Sequence, residues 1–215
     1  MMHVLITGAN RGIGLALADK YRRDGDTVTA TARTPNGGEV LDVTDPAQHT
    51  ALAAKLKGQP IDLLICNAGV YLDKGQSLDG GYRAQMWADS FAANVMGVFL
   101  SVQALLPNLR AAKSGKIAII SSTMASHERA PGGSYIYRAS KAAALNLGRN
   151  LAADLRPEGI AVGIYHPGWV RTDMGGDSAD ISVDEATDGL KSRFAQLSMA
   201  TTGCFETWDG QAHPY

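Results

Sequence analysis

The chain has 215 residues, 45% apolar and 19% charged, with a formal net charge of −1 and two cysteines, Cys66 and Cys204. That length suits one domain with a sizeable core, and the near-neutral charge leaves no basic footprint for nucleic acid. Two cysteines make no disulfide framework, no charged leader precedes the first apolar stretch, and no apolar run approaches membrane-spanning length, so the expectation is a soluble cytoplasmic protein without nucleic-acid or membrane partners.

Residues 3–7 form a short apolar run ended by Gly8, which reads as a buried strand, and from Gly12 the spacing of Ile13, Leu17 and Tyr21 is helical. A threonine-rich strand follows at 27–32 and another at 39–42. Only five residues separate Arg33 from Glu39, too few for a crossover helix, so this connection should be a bare loop that leaves one face of the two strands thinly covered. Asp45 and Pro46 open a helix to about residue 57, 61–66 is a fourth strand, and a long helix covers roughly 83–109. A fifth strand at 116–121 is followed by an Ala/Leu-rich helix that stops at Pro157 and by a sixth strand at 160–166. Ser182 and Glu185 suit a capping box for a helix to about 198, and 203–207 suits a seventh, edge strand. Strands alternating with helices predict an α/β fold, a single doubly wound Rossmann-like domain over 1–215 with a parallel sheet of about seven strands and helices on both faces.

The glycines at 8, 12 and 14 lie between the first strand and first helix. There they allow a tight turn and a close approach to a pyrophosphate, with the helix N-terminus supplying amides and positive dipole. A site for NAD would place an acid about 20 residues on to hold the ribose 2′-hydroxyl. Residues 31–33 contain none, whereas Arg33 and Arg11 can pair with a 2′-phosphate. NADP(H) is therefore expected in preference to NAD(H).

Tyr137 and Lys141 are four residues apart, about 40° around a helix, so they share a face, and a fixed ammonium favours the phenolate. Tyr135 lies six residues from Lys141, about 240° around the axis. No G-x-S-x-G elbow, no G-x-x-x-x-G-K-[ST] loop, no zinc spacing and no calcium loop occurs, which removes the usual hydrolase, nucleotide-triphosphatase and metal readings.

These features come in a fixed order: Thr7, Gly8, Gly12 and Gly14; Asn67, Ala68 and Gly69 after the fourth strand; Asn94 in the long helix; Ser122 after the fifth; Tyr137 and Lys141; then Pro167, Gly168 and Thr172. In that order the chain resembles the short-chain dehydrogenase/reductase family over essentially its whole length. Residues 133–141, 168–176 and 203–210 are more narrowly similar to its C-factor and Sniffer-like carbonyl reductase subgroup. The resemblance implies carbonyl reduction or alcohol oxidation with a nicotinamide cofactor. Gly8, Asn10, Arg11, Gly12, Ile13, Gly14, Arg33, Asp42, Val43, Asn67, Ala68, Gly69, Pro167, Gly168, Val170 and Thr172 would hold the cofactor, together with Tyr137 and Lys141. Ser122 would bind the substrate oxygen, Tyr137 would exchange the proton, Lys141 would tune Tyr137, and Asn94 would organise water leading to Lys141. No metal is implied.

Within the family pattern Tyr135, 13 residues after Ser122, has the commoner spacing, but the helix geometry favours Tyr137, 15 residues after, with the loop 126–133 lengthened. Ser121 and Ser122 should point oppositely on extended backbone. His166 reads as a packed histidine and Cys66 as a core residue. Residues 175–181 leave only a short lid, which suggests a permissive site. Small residues Ala142, Ala143 and Gly148 on the Tyr137 helix would permit close packing against a partner helix, and relatives pair this helix and the long one across a two-fold axis, so a homodimer or homotetramer is expected. The alternative of another class is a cofactor-binding signalling or scaffold protein with little turnover.

Overall fold

A computed structural model describes residues 1–35, 38–128 and 130–215. The strands β1 (His3–Ile6), β2 (Thr27–Ala32), β3 (Glu39–Val40), β4 (Leu63–Cys66), β5 (Lys116–Ile120), β6 (Ala161–His166) and β7 (Phe205–Thr207) form one sheet. Their order is β3-β2-β1-β4-β5-β6-β7, and every neighbouring pair is parallel. The helices are α1 (Gly12–Arg23), α2 (Pro46–Lys55), α3 (Ala84–Phe91), α4 (Gly97–Ala111), α5 (Tyr135–Leu155) and α6 (Val183–Gln196).

Side chains alternate across the sheet, and both faces are apolar. Leu5, Leu64, Ile117 and Ile119 join the core packed by α2, α4 and α5. Val4, Ile6, Leu63, Ile65 and Ala118 face the other way, onto Leu17 and Tyr21 of α1 and Leu190 and Phe194 of α6. Two helices start on local caps: Asp45 Oδ1 accepts from the Ala47 amide at 2.8 Å, and Ser182 Oγ from the Glu185 amide at 3.1 Å. Strand order reverses between β1 and β4, which opens a crevice at their carboxyl ends.

Among the described residues no helix joins β2 to β3; Asn36 and Gly37 of that crossover lie outside them. β3 is a two-residue edge strand, and its Val40 is exposed.

The long helix departs from expectation in two ways. It is continuous over 28 residues from Ala84 to Ala111 and, by length and composition alone, could cross a membrane, although the sequence was expected to hold no such run. Its apolar positions Val98, Val102, Leu105 and Leu109 are buried against the sheet, the ordinary use of such residues in a core helix. It is also interrupted by a π-helical turn, Ala92–Met96, between α3 and α4. Gly148 corrects a further expectation. It faces the sheet rather than a partner helix: a β-carbon there would lie 2.6 Å from Ile164 Cγ1.

Candidate active site

The crevice begins with the glycine loop. Gly8 and Gly12 have positive φ, 66° and 54°. A β-carbon on Gly14 would lie 2.4 Å from the Gly8 carbonyl oxygen, so only glycine lets the loop fold back on α1. Helix α1 has no side-chain cap, unlike α2 and α6, and no acid in its first turn, unlike α6. Its first amides and dipole therefore face the crevice without a protein anion, a donor set that fits a phosphate. Ile13 packs beside the core, and Asn10 is exposed at the rim.

β1 and β4 are tied at the same point. Thr7 Oγ1 accepts from the amides of Asn67 and Ala68, each at 3.0 Å, and Asn67 Nδ2 donates to the carbonyls of Thr7 and Gly8, each at 3.0 Å. The Asn67 side chain thus holds the glycine loop, while Ala68 touches Gly8: a β-carbon on Gly8 would lie 2.9 Å from Ala68 Cα.

The arginines are arranged differently from one another. Arg11 Nη1 forms an exposed ion pair with Asp173 Oδ2 at 2.7 Å, across the crevice from the glycine loop. Arg33 is exposed after β2, and its charge acts on Asp42. Asp42 Oδ1 accepts from the Thr44 amide at 2.9 Å and its hydroxyl at 2.8 Å; these bonds, with Arg33, hold the carboxyl below its ordinary range. Val43 is buried under Gly97, where a β-carbon would lie 2.8 Å from Val43 Cγ2.

The π turn rotates Asn94 inward, to 1% exposure. Asn94 Oδ1 accepts from the Val70 amide at 2.8 Å, while Nδ2 donates to the Val70 carbonyl and Ser140 Oγ, both at 2.9 Å. A β-carbon on Gly69 would lie 3.0 Å from Asn94 Oδ1 and 3.5 Å from Lys141 Nζ, so glycine keeps the approach between those two atoms open.

Three side chains converge beyond β5. Ser121 turns its hydroxyl away, donating to the Lys141 carbonyl at 3.1 Å. Ser122 Oγ accepts from the Met124 amide at 3.1 Å and lies near enough to the Tyr137 hydroxyl to favour its ionised form. Lys141 Nζ donates to the Ile120 carbonyl at 2.9 Å and lies 5.7 Å from the Tyr137 ring centre. Burial dominates the electrostatics. It pushes the Tyr137 hydroxyl above its ordinary range, with Ser122 pulling the other way, and brings the Lys141 ammonium down to about 8. The nearby ammonium was expected to favour the phenolate; in this structure burial acts against it and holds the phenol protonated. Tyr135 points elsewhere, edge-on to Tyr82 at 5.2 Å.

Beyond β6, Pro167 and Gly168 form the turn; Gly168 has φ 90°, and the Trp208 indole lies against it. Val170 is buried and bridges to Ile181, and Thr172 Oγ1 accepts from the Gly175 amide at 3.1 Å. The His166 ring is packed and brought down to about 4 by burial, so it is neutral, and its Nδ1 has no partner among the described residues. Cys66 is buried in β4, which pushes its thiol up to about 12. Among the described residues no three His, Cys, Asp or Glu side chains converge as a metal site.

The sequence points to the segment after Tyr71 as part of the pocket, but not to the individual roles of Tyr71 and Asp73. Tyr71 stacks on Tyr137, ring centres 4.1 Å apart and planes 21° from parallel. Asp73, fully buried, accepts from the amides that open α5. Neither belongs to a motif; a charged residue four after a glycine carries no local signal.

The short chain dehydrogenase family matches residues 38–181. C-signal of Myxococcus xanthus is 36% identical over 166 residues, covering 77% of this chain and 99% of that protein. The NADPH-bound carbonyl reductase from chicken fatty liver superposes with a TM-score of 0.92 at 33% identity, over 100% of this chain and 99% of that one. The carbonyl reductase Sniffer of D. melanogaster does so with a TM-score of 0.92 at 27% identity, over 100% of both chains.

Proposed function

The chain belongs to the short-chain dehydrogenase/reductase family of oxidoreductases, and from that premise we propose that it interconverts a small-molecule carbonyl and its alcohol with NADP(H) as cofactor. The observation that carries the proposal is the convergence of three buried side chains: Ser122 acts on the Tyr137 hydroxyl, and Lys141 Nζ lies 5.7 Å from the Tyr137 ring centre. When bound, the nicotinamide supplies hydride. Ser122 and Tyr137 donate to the carbonyl oxygen where negative charge develops, and Tyr137 delivers the proton. Lys141, charged below about pH 8, stabilises the phenolate left behind. The open approach between Asn94 Oδ1 and Lys141 Nζ supports a water there that returns the proton. The capless start of α1, with Gly8, Gly12 and Gly14, would take the pyrophosphate. Asp42 and Val43 would face the adenine, and Thr172 with the 167–168 turn the carboxamide.

NADPH bound to the chicken carbonyl reductase supports the choice of cofactor, as do Arg33 and Arg11, the latter once it leaves Asp173. An exposed apolar groove lined by Phe91, Val95, Met96, Phe99 and Leu147 supports association with a second copy.

The test is NADPH oxidation with a panel of aldehydes, ketones and quinones, comparing wild type with Tyr137→Phe. Turnover by wild type alone supports the reductase. Tight NADPH binding without turnover in either protein would favour the second reading, a signalling protein of this fold, which the similarity to C-signal brings in.

A further inference from the structure

Helix α5 does not cap itself. Ser134 stands at its N-cap in a left-handed conformation, φ 48° and ψ 41°, and its side chain makes no bond to the helix. The Ser134 hydroxyl meets the Tyr71 hydroxyl instead, at 2.5 Å. The amides of the first turn are bound from far away in sequence: Asp73 Oδ2 accepts from Ile136 at 2.8 Å, and Oδ1 from Tyr137 at 3.2 Å. Asp73 has 0% exposure, and among the described residues no lysine, arginine or histidine forms an ion pair with it. A buried carboxylate without a cation is costly, and here the two amides and the dipole of a 21-residue helix compensate it.

A local cap, like Asp45 on α2 or Ser182 on α6, would have satisfied the same amides at lower cost. It would not have registered α5 against the segment after β4. That segment is itself held at several points. Asn94 holds both backbone groups of Val70, Tyr71 covers the Tyr137 ring, and Lys74 Nζ donates to the carbonyls of Met174 at 3.2 Å and Gly175 at 3.4 Å. One five-residue stretch, 70–74, therefore grips both the backbone amide and the ring face of Tyr137.

We infer that Asp73 is a positioning residue for Tyr137, fixing the start of α5 so that the phenol meets Ser122. The inference rests on the reading of Tyr137 as proton donor. A displacement of about 1 Å at such a group can cost on the order of a hundredfold in rate.

Three measurements on Asp73→Ala and Asp73→Asn test it. In Asp73→Ala, kcat for carbonyl reduction should fall at least about tenfold while the NADPH Kd stays within about twofold, since the glycine loop is untouched. Asp73→Asn keeps one acceptor oxygen, enough for the Ile136 amide, but turns a donor NH2 toward the Tyr137 amide, so kcat should lie between wild type and Asp73→Ala. Amide exchange should quicken at both Ile136 and Tyr137 in Asp73→Ala, and in Asp73→Asn at Tyr137 while Ile136 stays slow. If Asp73→Ala does not fold, Asp73→Ser, with a shorter acceptor, is read in its place. A lowered Tm with unchanged kcat in the folded protein would reduce Asp73 to a plain stabiliser and overturn the inference. So would an Asp73→Asn variant as slow as Asp73→Ala with its Ile136 amide still protected. A wild type that reduces no carbonyl fails the proposed function first; faster exchange in Asp73→Ala would then leave a helix cap and no positioning role.

Discussion

Tyr137 is 8% exposed and its hydroxyl feels Ser122, whereas Tyr135, two residues earlier on the same helix, is 39% exposed and touches Tyr82. The two hydroxyls thus occupy different chemistries although their sequence neighbourhoods are nearly alike. Tyr137→Phe removes the only one of the pair in reach of Ser122 and should lower kcat at least about a hundredfold, the scale of a lost general acid. Tyr135→Phe should retain most of the activity. Steady-state rates of the two variants decide, and the reverse ranking would overturn the assignment.

The two adjacent serines should separate in the same way. Ser122→Ala should reduce kcat on the order of a hundredfold or more, as for loss of an oxyanion donor. Ser121→Ala loses only a bond to the Lys141 carbonyl, so it should cost about 1 kcal/mol of stability and little rate. Denaturant midpoints alongside kcat distinguish them.

Lys141 carries a stability signature. Burial depresses its folded pKa from 10.5 to about 8, so between those values the unfolded chain holds the proton that the folded chain has lost. With more protons bound to the unfolded state, stability gained from this group rises with pH across that window, and below about pH 8 the buried charge is a fixed cost. Lys141→Met removes the dependence. The Tm of wild type relative to Lys141→Met should therefore increase from pH 7 to pH 10. A constant difference would show that the ammonium is solvated.

Arginine replacement reports on the nucleotide. Arg33→Ala should weaken NADPH binding about tenfold or more, the scale of a lost charge-assisted bond, while NADH binding changes little. Titration with both nucleotides checks it, and wild-type NADH affinity equal to that for NADPH would remove the basis for the preference.

The legible part of this molecule is the part whose causes are local. Glycines at 8, 12 and 14, apolar runs of strand length and a helical tyrosine–lysine pair each follow from backbone sterics and periodicity, and they brought the crevice, the sheet and the Tyr137–Lys141 pair within reach; Ser122 and Asn94 came only with the family resemblance. What escaped depends on contacts or windings that no short window encodes. The Asp73 carboxylate finds its amides 63 and 64 residues away. Asn94 was named by the resemblance, but the π turn that turns it inward is something a 3.6-residue period does not anticipate. Gly148 lies on a helix with small residues on more than one side, and only packing against Ile164 selects the face. The pKa balance at Tyr137 depends on burial, which spacing cannot supply.

The π turn works as a phase shifter. It adds one residue to a single winding, about 100° of helical angle, between α3 and α4. Upstream, α3 leaves Trp87 at the surface, while downstream Val98, Val102, Leu105 and Leu109 keep their hold on the sheet. Excising one residue from Ala92–Met96 would bring the winding back to a plain α-helix and put the halves out of step. The sheet would hold α4 in place, so α3 would swing round with the groove residue Phe91, and Asn94 would lose Val70. A single deletion there would thus uncouple the site and the outer groove together, with no side chain of either having been altered.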